Sequence, residues 1–386
     1  VSLRSEPVDS ATLEQATAIV QDVERRGEIA IREHSERFGD LKPAERYQYT
    51  QADLALALEA LTDAQRALLQ RTAARIQVFA ELQRSSLKEV HMRVPGGTAG
   101  HTIAPVECAG CYAPSGRFPL PSSILMTAIT ARAAGVKTVW VVSPKPTTIT
   151  LAAAAIAGAD GFFALGGAQA IAAMAYGVGG VPPCDVIVGP GNRWVTAAKK
   201  IVSGRVAIDM LAGPSELLVV TDATSNPSCV AADLIAQAEH DQDARVVLVS
   251  LDEAMIDRVN AQLENQLQDL PTAQTARASL KHSFAVAVTH LDEAIMVCDR
   301  LAPEHLQLSV DDPEPFRERL LHYGALFSGI AGAEVFGDYG AGPNHVLPTG
   351  GTARFTGGLS VFNFLRVRTW LHLDDMHGAA PLARDV

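Results

Sequence analysis

The chain is short of basic residues, aromatics and cysteine, and it holds no long apolar run. Lysine and arginine number 32 against 43 acidic residues, for a formal net charge of −11 at pH 7. That balance argues against a nucleic-acid partner, because phosphate contacts need clustered cations. No run of about 18 apolar residues occurs, so no membrane span is expected. The segment Val1–Asp9 has no signal-peptide apolar region. The five cysteines, Cys108, Cys111, Cys184, Cys229 and Cys298, form an odd, sparse set in 386 residues. Such usage suits reduced thiols and a cytoplasmic location rather than a disulfide framework. Cys108-Ala-Gly-Cys111 has metal or redox spacing, but it lacks a second pair and lies in a strand-like run. It reads as structural.

What the chain does have is apolar material, 48% of its residues, enough for substantial cores. The length allows two or three domains. Residues 10–38 and 51–88 read as helices, with Leu54, Leu58, Leu61 and Leu68 suited to one amphipathic face. From about residue 105 short apolar strands alternate with helices, and the alternation continues to about residue 328. This pattern predicts parallel sheets covered on both faces. The fold expectation is therefore α/β, with two Rossmann-like doubly wound lobes. Residues 1–104 form a helical region packed on the first lobe, 105–214 the first lobe, 215–365 the second, and 366–386 a short C-terminal tail. Ser122 or Ser123 is placed to cap the helix over 122–134. Ligands are expected at the carboxyl ends of strands, near a switch in strand order.

Several polar residues fall where the pattern changes element. Gln237 and His240 stand at i and i+3 near a helix end, so both can reach one ion. The plain alternative is a histidine stabilised by the helix dipole. Asp338 lies in 337–358, a stretch with seven glycines and two prolines; it is either a turn aspartate or the anionic third ligand that zinc requires. Glu304 and His305 follow Ala302-Pro303, and on an extended segment they would point to opposite sides. A histidine near neutrality suits an alcohol proton, and a glutamate in a cleft suits water activation. The alternative is a capping Glu beside a packed His. Gly189-Pro-Gly-Asn192 and Gly166-Gly-Ala-Gln169 sit at strand–helix junctions where backbone N–H groups can meet a phosphate, although neither is the G-x-G-x-x-G fingerprint. Ser215, in Ala212-Gly-Pro-Ser-Glu216, is a substrate donor or a turn serine.

Taken in order, these segments resemble the histidinol dehydrogenase family. The matching stretches are Tyr112-Ala-Pro-Ser-Gly with Pro119-Leu-Pro-Ser-Ser, Gly166-Gly-Ala-Gln-Ala-Ile-Ala-Ala, Gly189-Pro-Gly-Asn, and Ile208-Asp-Met with Ala212-Gly-Pro-Ser-Glu. They continue with Gln237-Ala-Glu-His, Ala302-Pro-Glu-His-Leu, and Gly337-Asp-Tyr with Gly342-Pro-Asn-His-Val-Leu-Pro-Thr. The similarity runs from about residue 10 to 370.

The resemblance implies a zinc-dependent, NAD-using enzyme that oxidises L-histidinol through histidinal to L-histidine. It implies zinc ligands at Gln237, His240 and Asp338, and Glu304 and His305 as acid/base residues. His305 would take the alcohol proton, and Glu304 would help activate water on the aldehyde. It implies NAD contacts near Tyr112, Gln169 and Asn192. Substrate contacts would come from Ser215, Gln237, His240, His305, Asp338 and His345. It also implies a homodimer with shared active sites. The family pattern continues into a C-terminal helix carrying a Glu and a His, the latter the fourth zinc ligand. No matching segment follows Phe364-Leu365, and Leu371-His-Leu-Asp-Asp-Met-His377 does not fit it, so neither His372 nor His377 is expected as that ligand. The competing readings are a related dehydrogenase for another small polar alcohol such as a sulfopropanediol, a zinc hydrolase, and an inactive scaffold.

Overall fold

The computed structural model describes residues 8–115, 119–329, 332–338 and 340–386, with the side chain of Asp338 also outside the description. The chain starts with α1 (Ser10–Arg26), capped by Asp9, whose side chain accepts from the Thr12 N–H at 2.8 Å. Gly27, at φ 63°, breaks it from α2 (Glu28–Arg37). A short strand, β1 (Gln48–Thr50), leads into α3 (Gln51–Glu59) and α4 (Asp63–Ser85). The helix expected over 51–88 divides because Thr62 starts a capping box of its own with Gln65.

Residues 1–104 are not wholly helical. Besides β1 they hold β2 (Val90–Val94) and β3 (Gly97–Pro105). β3 pairs antiparallel with β2 and, across nine residues, with a strand near the end of the chain described below.

The first lobe runs β4 (Cys108–Tyr112), α5 (Pro121–Ala134), β5 (Thr138–Val142), α6 (Thr148–Ile156), β6 (Gly161–Phe163), α7 (Gly167–Tyr176), β7 (Val186–Val188), α8 (Arg193–Val202) and β8 (Ala207–Ile208). The sheet order is β1-β6-β5-β4-β7-β8, parallel except for β1, which adds antiparallel to β6. The order reverses between β4 and β7. Alternation along β4 sends Cys108 and Cys111 into separate cores on opposite faces, so this pair cannot act together. Cys108 instead lies 3.7 Å from Cys184, sulfur to sulfur. The proposed serine cap on α5 is absent. Leu120 occupies the cap position, Pro121 opens the helix and no side chain caps it. Ser123 is buried one turn in.

The second lobe runs β9 (Glu216–Thr221), α9 (Pro227–Ala238), β10 (Arg245–Ser250), α10 (Glu253–Gln266), α11 (Ala273–Leu280), β11 (Phe284–Ala287), α12 (Leu291–Leu301), β12 (His305–Ser309), α13 (Glu314–Arg317) and β13 (Ala325–Ser328). Its five strands are all parallel in the order β11-β10-β9-β12-β13. Aliphatic clusters fill both faces, around Leu217 and Val219 on one and Leu218 and Val220 on the other. One helical turn, α14 (Val335–Asp338), runs into the start of the glycine-rich stretch expected to be irregular, and a 3-10 turn, Thr352–Arg354, lies within it.

The chain then returns as β14 (Leu365–Leu373) and ends in α15 (Met376–Asp385). Residues 366–386 are thus no loose tail, since β14 forms one edge of the sheet β14-β3-β2.

The link between the lobes decides where a site can form. β8 ends at Ile208 and β9 begins at Glu216, with no helix between them. The chain leaves the carboxyl edge of the first sheet and enters the amino edge of the second.

Candidate functional site

The amino edge of the second sheet gathers the acid/base residues. Glu304 ends the turn before β12, and His305 is its first residue. Ala302, at φ 48°, and Pro303 turn the chain from α12 into that strand. The two side chains do not diverge as expected. The Glu216 backbone N–H donates to Glu304 Oε2 at 2.8 Å, and His305 Nδ1 lies 3.0 Å from the Glu216 carbonyl oxygen. Both therefore converge on the first residue of β9, and Glu304 Oε2 is 3.7 Å from His305 Nδ1. A carbonyl only accepts, so Nδ1 carries the proton in the neutral ring and Nε2 carries the lone pair. Nε2 faces the carboxyl of Glu334 at 3.9 Å. Both His305 and Glu304 are buried. Burial also pushes the Glu216 carboxyl above its ordinary range, an effect the Gly350 N–H partly offsets.

Gln237 and His240 meet at the end of α9, with Gln237 Nε2 3.2 Å from His240 Nδ1. Gln237 is 1% exposed, and its Oε1 has no hydrogen-bond partner among the described residues. A buried carbonyl oxygen in that state suits an ion.

Hydrogen bonds tie the helix of this pair to the strand of His305. Asp233 precedes Gln237 by one helical turn, and Gln307 shares the His305 face of β12. Gln307 Nε2 donates to Asp233 Oδ2 at 2.6 Å, while Gln307 Oε1 accepts from the Glu334 N–H at 3.3 Å. One glutamine thereby fastens α9, β12 and the segment entering α14 together. The backbone of Asp338 closes α14, while its side chain and Tyr339 lie outside the described residues. Among the described residues no three His, Cys, Asp or Glu side chains assemble a metal site. The donor set that fits zinc is the carboxamide and imidazole already met, completed by a third ligand.

The site therefore faces the amino ends of the second lobe's strands, not their carboxyl ends as expected. The direct β8–β9 link turns that edge toward the carboxyl edge of the first lobe. A cleft of about 870 Å³ opens beside β13 and the 341–347 loop, lined by His305, Tyr323, Phe327, Asn344 and His345, with Phe79 of α4 on its far side. Ser123 Oγ and His345 Nε2 are 3.5 Å apart, and Asn344 donates to the Met126 carbonyl at 2.9 Å. These contacts lay the 342–347 loop on α5 of the first lobe. Ser215 is half-buried directly before β9, one residue from the Glu216 backbone that holds both catalytic candidates. His372 and His377 are exposed, on β14 and in α15.

At the carboxyl edge of the first lobe the two glycine-rich junctions are satisfied by protein groups. Burial keeps the Tyr112 hydroxyl protonated, and the Gly167 N–H donates to it. The Gly189 N–H donates to Asp209 Oδ2 at 2.7 Å, and Lys199 Nζ donates to the Gly189 carbonyl at 3.0 Å and forms a buried ion pair with Asp209. A side chain at Gly189 would collide with the Tyr112 carbonyl, 1.9 Å from the added carbon. Asn192 caps α8 through Oδ1, which accepts from the N–H groups of Trp194 and Val195. The loop is thus a rigid shelf beside β4 and not an open phosphate cradle. Gln169 is buried, and its Oε1 has no hydrogen-bond partner among the described residues. That orphaned oxygen, at the carboxyl end of β6, fits a dinucleotide lying along this edge.

Glu334, Gln307 and Asp233 escaped the sequence reading. The available signal was spacing: Gln307 stands two after His305 in a strand, and Asp233 stands four before Gln237 in a helix.

Comparison with known proteins gives the family and the fold. A family model described as histidinol dehydrogenase matches residues 3–385. Histidinol dehydrogenase from Pseudomonas putida is 42% identical over 389 residues, covering 97% of this chain and 88% of that protein. The enzyme of the same name from Dechloromonas aromatica is 43% identical over 373 residues, covering 95% and 86%. The crystal structure of histidinol dehydrogenase from Elizabethkingia anophelis superposes with a TM-score of 0.92 at 31% identity, covering 99% of this chain and 90% of that one.

Proposed function

The chain belongs to the histidinol dehydrogenase family, and from that premise we propose how its residues carry out the reaction. It is an oxidoreductase of histidine biosynthesis that oxidises histidinol. In our reading Gln237, His240 and Asp338 hold a zinc ion, and Tyr112, Gln169 and Asn192 contact NAD. When bound, zinc supplies a fixed point for the substrate's imidazole and amine, and NAD supplies the hydride acceptor.

The protein's own part is proton handling and position. Glu216 fixes the imidazole of His305 with Nδ1 protonated, so Nε2 accepts the alcohol proton. Glu304, locked by the Glu216 N–H, takes a proton from the water that adds to the aldehyde. His345, which borders the cleft, and Ser215, directly before β9, orient the amino alcohol. The buried surroundings of Glu304 and His305 keep bulk water from the reacting carbon.

The observation that carries this reading is the buried Gln237 Oε1 beside His240, without a hydrogen-bond partner among the described residues, on a helix that Asp233 fastens through Gln307 to the strand of His305. The exposed apolar residues Val367, Leu371 and Leu373 on one face of β14 support a homodimer. No helix among the described residues is long and apolar enough to cross a membrane, and the sparse thiols, none of them disulfide-bonded, support a cytoplasmic setting.

The test is the metal content of purified protein together with its activity on L-histidinol before and after chelation. Zinc content that tracks activity, with recovery on adding zinc back, supports the reading. Full turnover by metal-free protein overturns it.

A further inference from the structure

In doubly wound dinucleotide folds, the ribose hydroxyl next to the adenine is read by an acid at the end of the second strand. Here the second strand of the unit is β5, and the residues after it are Ser143-Pro144-Lys145-Pro146. That turn offers no carboxylate. The structure brings one from outside the unit. Asp40 follows α2, and its N–H is fixed to the Ser35 carbonyl at 2.8 Å. Its carboxylate accepts from Gln169 Nε2 at 3.2 Å and from the Gly166 N–H. A carbon added at Gly166 would lie 2.8 Å from Asp40 Oδ2 and 2.9 Å from the Pro144 ring, so Asp40 sits over the turn that ends β5. The exposed Lys145 ammonium lies near enough to act on it electrostatically. The helix of Gln169, α7, has no capping side chain of its own. The orphaned Oε1 of Gln169 marks the neighbouring ligand position.

We propose that Asp40 is a specificity-determining residue, its carboxylate accepting from the ribose hydroxyl of NAD and repelling the additional phosphate of NADP. The proposal rests on the reading of the first lobe as the NAD site. A carboxylate already holding the α7 N-terminus leaves no place there for a second anion, and it neutralises the Lys145 ammonium that would favour a phosphate. Loss of that charge frees Lys145 to pair with the phosphate.

The experiment is direct binding of NAD and NADP by titration calorimetry, without the alcohol, on full-length wild type, Asp40→Asn and Lys145→Glu. Wild type should bind NAD in clear preference to NADP. Asp40→Asn should narrow that preference by at least about tenfold, chiefly by tightening NADP. Lys145→Glu, at an exposed position that spares the fold, should weaken NADP further while leaving NAD nearly unchanged. Should wild type bind NAD while neither variant alters the preference, the proposal falls and the NAD reading stands. The same holds if Asp40→Asn weakens both nucleotides equally with a lower Tm, since Asp40 is then only a helix cap. Should wild type bind neither nucleotide, the NAD reading fails and the proposal with it.

Discussion

His305 owes its tautomer to Glu216, whose carbonyl oxygen lies 3.0 Å from Nδ1. The strand pairing is what makes this possible, because β12 and β9 run parallel with His305 opposite Leu217. A main-chain acceptor cannot titrate or swing away, so Nδ1 keeps its proton and the ring its orientation. Replacing His305 with Asn should lower turnover on L-histidinol by about 10²–10⁴ with zinc content unchanged. Steady-state kinetics beside metal analysis checks this, and wild-type turnover would remove His305 from proton transfer.

Glu304 serves the second oxidation. Glu304→Gln keeps an oxygen for the Glu216 N–H but cannot take a proton from water. Aldehyde oxidation should slow by about 10²–10⁴, and alcohol oxidation much less. Separate assays on histidinol and histidinal distinguish the steps, and equal loss on both would contradict this division of labour.

Gln237→Ala and His240→Ala each remove a proposed ligand. Zinc affinity should fall by more than the roughly 10–100-fold that changes around a ligand produce. Competition with a chromophoric chelator measures it. Asp233→Asn, by contrast, keeps an oxygen for Gln307 and should leave zinc binding within about tenfold of wild type.

Lys199 and Asp209 form the buried ion pair that braces the Gly189 turn. Lys199→Met leaves a buried carboxylate alone, which should cost about 3–5 kcal/mol of stability. Urea unfolding of the variant tests this, and a loss below about 1 kcal/mol, the scale of an exposed pair, would show the pair to be screened by solvent.

Burial pushes the thiols of Cys111 and Cys298 up to about 12 from an ordinary 9.0. The unfolded chain then releases these protons at lower pH than the folded one, so it binds fewer protons between the two values. Stability must fall as pH rises from about 9 toward 12. Urea midpoints should drop across that window, and less steeply for the Cys111→Ala/Cys298→Ala double variant. An unchanged slope would mean that other groups set the alkaline limit.

The alternating pattern made both parallel sheets legible, because buried parallel strands read as short apolar runs between helices. Gln237 with His240, and Glu304 with His305, were legible from type and spacing. The convergence of the second pair on Glu216 was not, since the register between β9 and β12 is a tertiary fact. The orientation of the second lobe was hidden in a seven-residue link, 209–215, whose lack of a helix carries no periodic signal. β14 was legible and missed: Leu365, Val367, Leu371 and Leu373 share one face and Arg366, Arg368 and His372 the other. Asp40 was not legible, because a lone acid after a helix shows nothing of the glycine turn, 126 residues further along the chain, that it holds.

The most direct measurement is the amount of reduced nicotinamide formed per molecule of L-histidinol consumed to completion. Oxidation of an alcohol to an acid removes four electrons and each NAD takes two, so two molecules of NADH should appear for each histidinol, with histidine as product. One NADH per histidinol with released aldehyde would contradict Glu304's role in the second step, and none would contradict the dehydrogenase site altogether.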